Sequence, residues 1–222
     1  MAESESRLSE IYRRRFADTA DYRRRVWGVL TAKFFNRWVR PEHIVLDLGC
    51  GYGEFINQIR CGRKLAMDLN PDAPQHLAAE VEFLHQDCSK PWRVDAGSLD
   101  VVFTSNFFEH LPDKNCLVAT LEQALRSLKP GGRLIALGPN IKYLPGAYWD
   151  FFDHHTILTE LSLAEALEIG GFVVEEAISR FLPYTMVGGR QYPLLFVEMY
   201  VAMPWAWPLF GKQFLVVARK PA

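Results

Sequence analysis

The chain reads as an α/β fold wound on a mostly parallel sheet with helices on both faces, and three features carry that reading. An apolar, partly β-branched run from Ile44 to Leu48 has the make-up of a strand buried on both sides. Three alternating glycines, Gly49, Gly51 and Gly53, then break the pattern before Phe55, Ile56 and Ile59 resume it at helical spacing, giving strand, tight turn, helix. Downstream, short apolar strands keep alternating with helical stretches, as parallel strands joined by crossovers require.

From Leu8 to Val39 the periodicity is helical, with Val26, Val29, Leu30, Phe34 and Trp38 on one face and Arg13, Arg14, Arg15, Arg23, Arg24 and Arg25 on others. Two helices are expected, with a break near Asp18 to Asp21. The three glycines lack a Cβ, so their loop can take positive φ and lie directly against a ligand. Lys64 to Leu69 is a second strand ending in Asp68, and Val81 to His85 a third, leading into Gln86-Asp87-Cys88. Ser98 to Ser105 is the fourth, and Asn106 to Pro112 follows it at the carboxyl edge, where sheets of this kind bind ligands.

A helix starting at Asp113 or Asn115 carries Leu117, Val118, Leu121, Leu125 and Leu128 on its apolar face and stops at Lys129-Pro130-Gly131-Gly132. Arg133 to Leu137 is the fifth strand. Thr159 or Ser162 caps the next helix, which runs through Leu163, Ala166, Leu167 and Ile169 to Gly170-Gly171. Phe172-Val173-Val174 is strand six, and Phe214 to Ala218 the last.

Between those two strands lies an insert, 183–211, too long for a hairpin turn and too apolar for a solvated loop. Pro193 and Pro204 bracket a segment that as a helix spans only about 15 Å, half a bilayer core. It could fold back as a lid, line an apolar acceptor pocket, join two copies as a homodimer, or lie in a membrane surface with Tyr200, Trp205 and Trp207 at the interface.

A net charge of −1 hides an asymmetry, because residues 1–40 hold ten Arg/Lys against five Asp/Glu and the remainder 15 against 21. A basic arm on an acidic body invites an anionic partner, although a solvated helix face gives the same pattern. Cys50, Cys61, Cys88 and Cys116 form no C-x-x-C pair, and the charged start resembles no signal peptide, so a reduced, cytoplasmic protein is expected.

The ligand of the glycine loop follows from its register. A dinucleotide fingerprint G-x-G-x-x-G would place its third glycine at Glu54, and a carboxylate there has the wrong charge for a pyrophosphate. Here the loop is G-x-G-x-G, led by Asp47, which suits a cationic or hydroxyl-rich ligand better. At these residues the chain resembles the class I S-adenosylmethionine (SAM) dependent methyltransferases, in particular the type-11-like small-molecule group.

That resemblance implies a Rossmann-like seven-stranded sheet with an antiparallel last strand over about residues 40–220. Residues 1–40 would then be a helical segment covering the cofactor site, and 41–222 the SAM-binding domain. It also implies SAM as cofactor, held by Asp47, Gly49, Cys50, Gly51, Gly53, Asp68, Leu69, Asp87, Cys88 and Asn106. Asp68 can accept hydrogen bonds from both ribose hydroxyls, or merely cap the Asn70-Pro71 turn. The resemblance places Asp87 on the adenine amino group and the backbone of Cys88 beside the ring. An arginine of the N-terminal segment, or Tyr12, could meet the methionine carboxylate.

An oxygen acceptor benefits from a base near neutrality, and the candidates are His110, His154 and His155. Asp153-His154 has a plainer reading as a helix cap. Glu109-His110 with a later histidine resembles the metal-dependent 2′-O-methyltransferases and the ubiquinone-type O-methyltransferases, but Asn106 stands where the RNA-modifying group would offer a further glutamate, and no metal is expected. Ser105-Asn106-Phe107-Phe108 lacks the prolines of the Asn/Asp-Pro-Pro-Tyr/Phe clamp, which disfavours planar nitrogen acceptors. Nor is there a nucleic-acid module. The expectation is O-methylation of a small-molecule, sugar or lipid-linked acceptor. A SAM-binding partner protein without catalysis stays open, and a NAD-dependent oxidoreductase is disfavoured by Glu54.

Overall fold

The computed structural model describes residues 19–184 and 191–222. Expectations that fall on 8–18, including Tyr12, Arg13, Arg14 and Arg15, and on 185–190 of the insert lie outside the described residues. Helix α1 (Ala20–Lys33) precedes β1 (Ile44–Leu48), β2 (Arg63–Asp68), β3 (Val81–His85) and β4 (Leu99–Ser105). Then come α2 (Lys114–Ser127), β5 (Leu128–Pro139), α3 (Glu160–Ile169), β6 (Val173–Ile178), α4 (Leu194–Val201), α5 (Trp207–Phe210) and β7 (Gln213–Arg219).

Among the described residues these strands form one seven-stranded sheet in the order β3-β2-β1-β4-β5-β7-β6. β1 pairs with β2, β2 with β3, and β4 with β5 in parallel, whereas β7 runs antiparallel to both β5 and β6. The reversed last strand is therefore present as expected. No helix among the described residues is long and apolar enough to cross a membrane.

The chain divides into two compact units, Met1–Asp87 with Thr185–Pro204 and Cys88–Tyr184 with Trp205–Ala222. In the first unit Val45, Leu46 and Leu48 of β1 are fully buried, as a strand covered on both faces demands. Trp27 of α1 stacks on Phe35 at 6.0 Å, and Phe35 meets Phe55 edge-on at 6.1 Å. Those contacts anchor α1 beside the glycine loop. The insert helix α4 lies against α1: the Tyr192 N–H donates to Tyr22 Oη at 2.9 Å, and Lys33 Nζ stands 3.8 Å from Glu198.

One expected element is shorter than its spacing suggests. Phe55, Ile56 and Ile59 are all buried, yet 54–58 is a run of turns rather than an α-helix. Asn57 N donates to Gly53 O and Ile59 N to Phe55 O, both at 3.0 Å, and the chain then turns so that Gly62 N reaches His43 O at 2.9 Å. Too few residues separate the loop from β2 for helical bonds to propagate, so periodicity sets which residues are buried and not how long the helix is.

In the second unit Asp113 is the α2 cap, its Oδ1 accepting from Cys116 N at 2.8 Å. Thr159 and Ser162 cap α3 together, each side chain bonded to the other's backbone N–H. β5 begins before the expected Arg133 because Leu128 already pairs with Leu99. Lys129 Nζ, 2.8 Å from both Asp100 carboxylate oxygens, pins that early start.

Candidate functional site

The glycine loop is built on backbone bonds that strand pairing fixes. Gly49, Gly51 and Gly53 have φ of 69°, 53° and 72°, the left-handed region that favours glycine. Gly49 N and Cys50 N both donate to Met67 O of β2, at 2.8 and 3.1 Å. Gly51 N donates to Asp68 Oδ2 at 2.8 Å, and Asp68 Oδ1 accepts from Asn70 N at 2.8 Å. Asp68 thus caps the Asn70 turn and ties it to the glycine loop through the same carboxylate.

Charge around this loop is negative. Burial, and after it the charge of Glu54, raises the Asp47 carboxyl well above the usual carboxylate range; Asp68 adds to this, and the Ile56 N–H opposes it. Burial likewise pushes the Cys50 thiol up, with Asp68, Asp47 and Glu54 adding to it, so this cysteine is a neutral packing residue. Arg23 of α1 meets Glu54 at 2.8 Å, which puts an arginine of the N-terminal segment at the loop. Tyr52 stacks on His76 with centroids 3.8 Å apart. Leu69, immediately after Asp68, is an exposed apolar side chain, and Asp87 is half-buried.

In the second unit Cys88 turns its side chain inward. Its Sγ accepts from Thr120 Oγ1 at 3.3 Å and its carbonyl from Trp92 Nε1 at 2.7 Å. Asn106 is the one non-glycine residue with positive φ among the described residues, at 50°. Its N–H donates to Leu137 O and its Nδ2 to Ser105 Oγ, while its buried Oδ1 has no hydrogen-bond partner among the described residues. A strained residue with an unmatched buried oxygen is costly unless a ligand uses it.

The short turn after β4 carries Glu109 and His110, and the segment after β5 returns to meet it. His110 Nδ1 is 3.1 Å from Asp153 Oδ2 and 3.0 Å from the Asp153 carbonyl. His154 lies edge-on to His110 with centroids 5.0 Å apart, stacked on Phe151 at 4.9 Å and tilted against Tyr148 at 4.6 Å. The Glu109 carbonyl accepts from His155 N at 2.8 Å and Thr156 N at 3.1 Å. Tyr148 Oη donates to Thr156 O at 2.5 Å, and Thr156 Oγ1 to Leu111 O at 2.7 Å, closing the cluster.

The structure brings His110 and His154 together and leaves His155 exposed, with its backbone N–H donating to the Glu109 carbonyl. Asp153-His154 does not cap a helix, since α3 starts only at Glu160. Burial disfavours the charged His110 imidazole, but the Asp153 hydrogen bond and the charges of Glu109 and Asp153 outweigh it and hold its pKa above the ordinary value. Burial, and secondarily Glu109, raises the Tyr148 phenol far out of the physiological range.

Ligand-capable atoms of Glu109, His110 and His154 lie within 4.8 Å of one another. The expectation of no metal looked to position 106 for a further donor. His154 is the later histidine of that set, and position 106 holds an asparagine rather than a further carboxylate. Sequence reasoning read Glu109 only in a metal set and Asp153 only in a helix cap; the approach of Asp153 to His110 is a long-range contact with no sequence signal.

Three comparisons bear on this arrangement. A family model described as a methyltransferase domain matches residues 19–177. A protein of Encephalitozoon cuniculi named as a candidate methyltransferase is 31% identical over 114 residues, covering 51% of this chain and 52% of that protein. The chain thus spans about half the length of the curated relative it matches.

Among solved structures, a complex of the Haloferax volcanii Trm112 methyltransferase activator with a methyltransferase matches with a TM-score of 0.68 at 20% identity. The match covers 93% of this chain and 95% of that one. A SAM-dependent methyltransferase from Archaeoglobus fulgidus matches with a TM-score of 0.64 at 20% identity, covering 92% and 99%. At such identities these two likenesses speak to the fold.

Proposed function

Because this chain belongs to the methyltransferase-domain family, we propose that it is a SAM-dependent methyltransferase acting on a hydroxyl of a small-molecule, sugar or lipid-linked acceptor. The observation that carries the reading is the glycine loop itself: backbone at positive φ, a buried carboxylate at the end of β2, and three carboxylates in electrostatic contact. That donor set repels a pyrophosphate and suits a hydroxyl-rich ligand with a positive centre.

In this reading Gly49, Gly51 and Gly53 let the chain approach the ligand, and Asp47, Cys50 and Glu54 set the charge and packing of the loop. Asp68 accepts from the ribose hydroxyls with Leu69 beside it, and Asp87 with the backbone of Cys88 takes the adenine. The unmatched Asn106 Oδ1 accepts from the ligand, and Arg23 meets the methionine carboxylate. Bound SAM supplies a methyl group already activated by its sulfonium, so the chain needs chiefly to align an oxygen at about 3–3.5 Å. The acceptor proton is handled at the cluster of Glu109, His110, Asp153 and His154, with His110 oriented by Asp153. His155, being exposed, is left with a supporting place in the segment.

Asp68→Ala removes SAM binding measured by calorimetry; retained micromolar affinity would overturn the ribose assignment. The acceptor is then sought by incubating labelled SAM with cell extract and identifying the fraction that takes up label. Free cysteines at Cys50, Cys61, Cys88 and Cys116 support a reducing, cytoplasmic setting.

The outward residues of α4 support a second element of the proposal. Leu195, Phe196 and Met199 are exposed on a helix whose charged residue is Glu198, which suits contact with a lipid surface presenting a greasy acceptor. Co-sedimentation with anionic liposomes at low salt tests it, and protein left in the supernatant rejects it. The activator seen with the Haloferax neighbour makes a partner protein the competing occupant, and a second copy of this chain would show as a dimer in gel filtration.

A further inference from the structure

We propose that the turn 204–210 is a membrane anchor, which inserts Trp205, Leu209 and Phe210 into the headgroup boundary of a lipid bilayer. These side chains are 69%, 62% and 61% exposed. A single exposed leucine needs no explanation, but three large apolar side chains on one turn do. Pro204–Ala206 forms a 3₁₀ turn, and α5 follows it with Pro208 in its first turn, so the backbone here is short and stiff.

The turn is held from below, so its exposed residues are presented on a fixed base. Trp207 is buried and meets Phe181 edge-on with centroids 5.0 Å apart. Arg180 Nε donates to Gly211 O at 2.8 Å and Arg180 Nη2 to Leu209 O at 3.0 Å, closing the turn across its base. Gly211 admits no side chain there, because an added Cβ would stand 2.5 Å from the Arg180 carbonyl carbon. Trp207, expected at an interface from the sequence, is thus the buried plug, and Trp205 is the ring left outside.

A bilayer fits this tip better than a protein surface does. Three side chains at about 200 Å² each fall short of the roughly 800 Å² per partner of a stable protein interface. A protruding tip also needs a shaped pocket in a protein and none in fluid lipid. Residues 199–222 contain no Asp or Glu, and Lys212 beside the tip is exposed, which complements an anionic leaflet. Tryptophan and phenylalanine suit the boundary where one side of a ring is wet. At four residues α5 is far too short to span lipid, so the contact is with one face of the bilayer.

The compact unit that carries the turn also carries the histidine cluster. The Arg180 guanidinium lies 4.8 Å from the Tyr143 ring centroid, and Tyr184 meets Phe151 edge-on at 5.9 Å. Residues 180–184 therefore join the base of the anchor to the segment that brings Asp153 to His110. That segment shows Trp149 and Phe152, 56% and 85% exposed, close in sequence to Asp153. One consequence rests on the proposed methyltransferase reading: the acceptor is a lipid whose hydroxyl lies at headgroup depth. The membrane contact itself does not depend on that reading.

The test sediments full-length protein with vesicles of phosphatidylcholine, with and without about one third phosphatidylserine. Wild type is expected to bind both, and the triple variant Trp205→Ser, Leu209→Ser, Phe210→Ser to bind both at least about tenfold more weakly. Bromine-labelled acyl chains should quench tryptophan emission in wild type and do so less in Trp205→Phe. Circular dichroism checks that each variant is folded, and the conservative Trp205→Phe decides the matter if the triple variant fails that check. No binding to either vesicle overturns the anchor. So does loss of binding only in Leu195→Ser with Phe196→Ser, which places the lipid contact on α4, and so does binding confined to anionic vesicles and unchanged in the triple variant, which assigns adsorption to basic residues. A wild-type dimer that the triple variant makes monomeric in ultracentrifugation gives the turn to a second copy and overturns it as well. SAM titrated into the same samples separates the two readings, because absence of SAM binding in wild type rejects the methyltransferase and its lipid acceptor but not the anchor.

Discussion

Gly53 shows how tightly single residues are constrained at the loop. Its φ is +72°, and an added Cβ would stand 2.5 Å from Leu77 Cδ2 and 3.0 Å from Asn57 Nδ2. Left-handed backbone costs an ordinary residue about 1–2 kcal/mol, so Gly53→Ala is expected to lower unfolding free energy by that much in urea. SAM affinity should fall with it, since the loop must shift to relieve the contact. The glycines were legible because a residue without Cβ is the cheapest way to reach this backbone. Asp68 was legible for its type and position, but its two backbone donors, Gly51 N and Asn70 N, were not. Nor was the pairing of His110 with Asp153, which joins residues far apart in the chain.

Elements divide by how local their determinants are. The α3 start was readable because Thr159 and Ser162 exchange bonds within one turn. Thr159→Ala removes that box and is expected to cost about 1 kcal/mol in urea unfolding. The segment after the glycine loop was misjudged in length because the distance back to β2 decides where it stops. Helix α4 is a third case: its residues are apolar except Glu198, yet only Val201 is buried. Leu195→Ser with Phe196→Ser should therefore change stability by no more than about 0.5 kcal/mol per substitution. A larger loss in chemical denaturation would show that this face belongs to the folded core.

For the whole molecule, ionisable groups of opposite sense set the pH response. Burial opposes ionisation of Glu160, but hydrogen bonds from Lys142 and Asn140 outweigh it and hold the carboxyl below its ordinary value. That stabilisation is present above the unfolded value, about 4.3, and is lost as pH falls through the folded one. His110 works the other way: its raised value gives stabilisation that is full below about 6.5 and is lost as pH climbs through the folded value. Urea midpoints of the protein from pH 3 to 9 should peak on the acid side of neutrality, and Glu160→Gln should flatten the acid limb. The sequence by itself determined the alternation of strands and helices, the glycine loop and the identity of the chemically able residues, because propensity, periodicity and backbone freedom act over a few neighbours. Only the tertiary structure decided that Glu109, His110, Asp153 and His154 form one cluster, that His155 stays outside it, and that α4 shows its apolar residues to solvent. Those outcomes depend on which segments the sheet brings back together, and that free energy is shared across the fold and written in no single stretch of it.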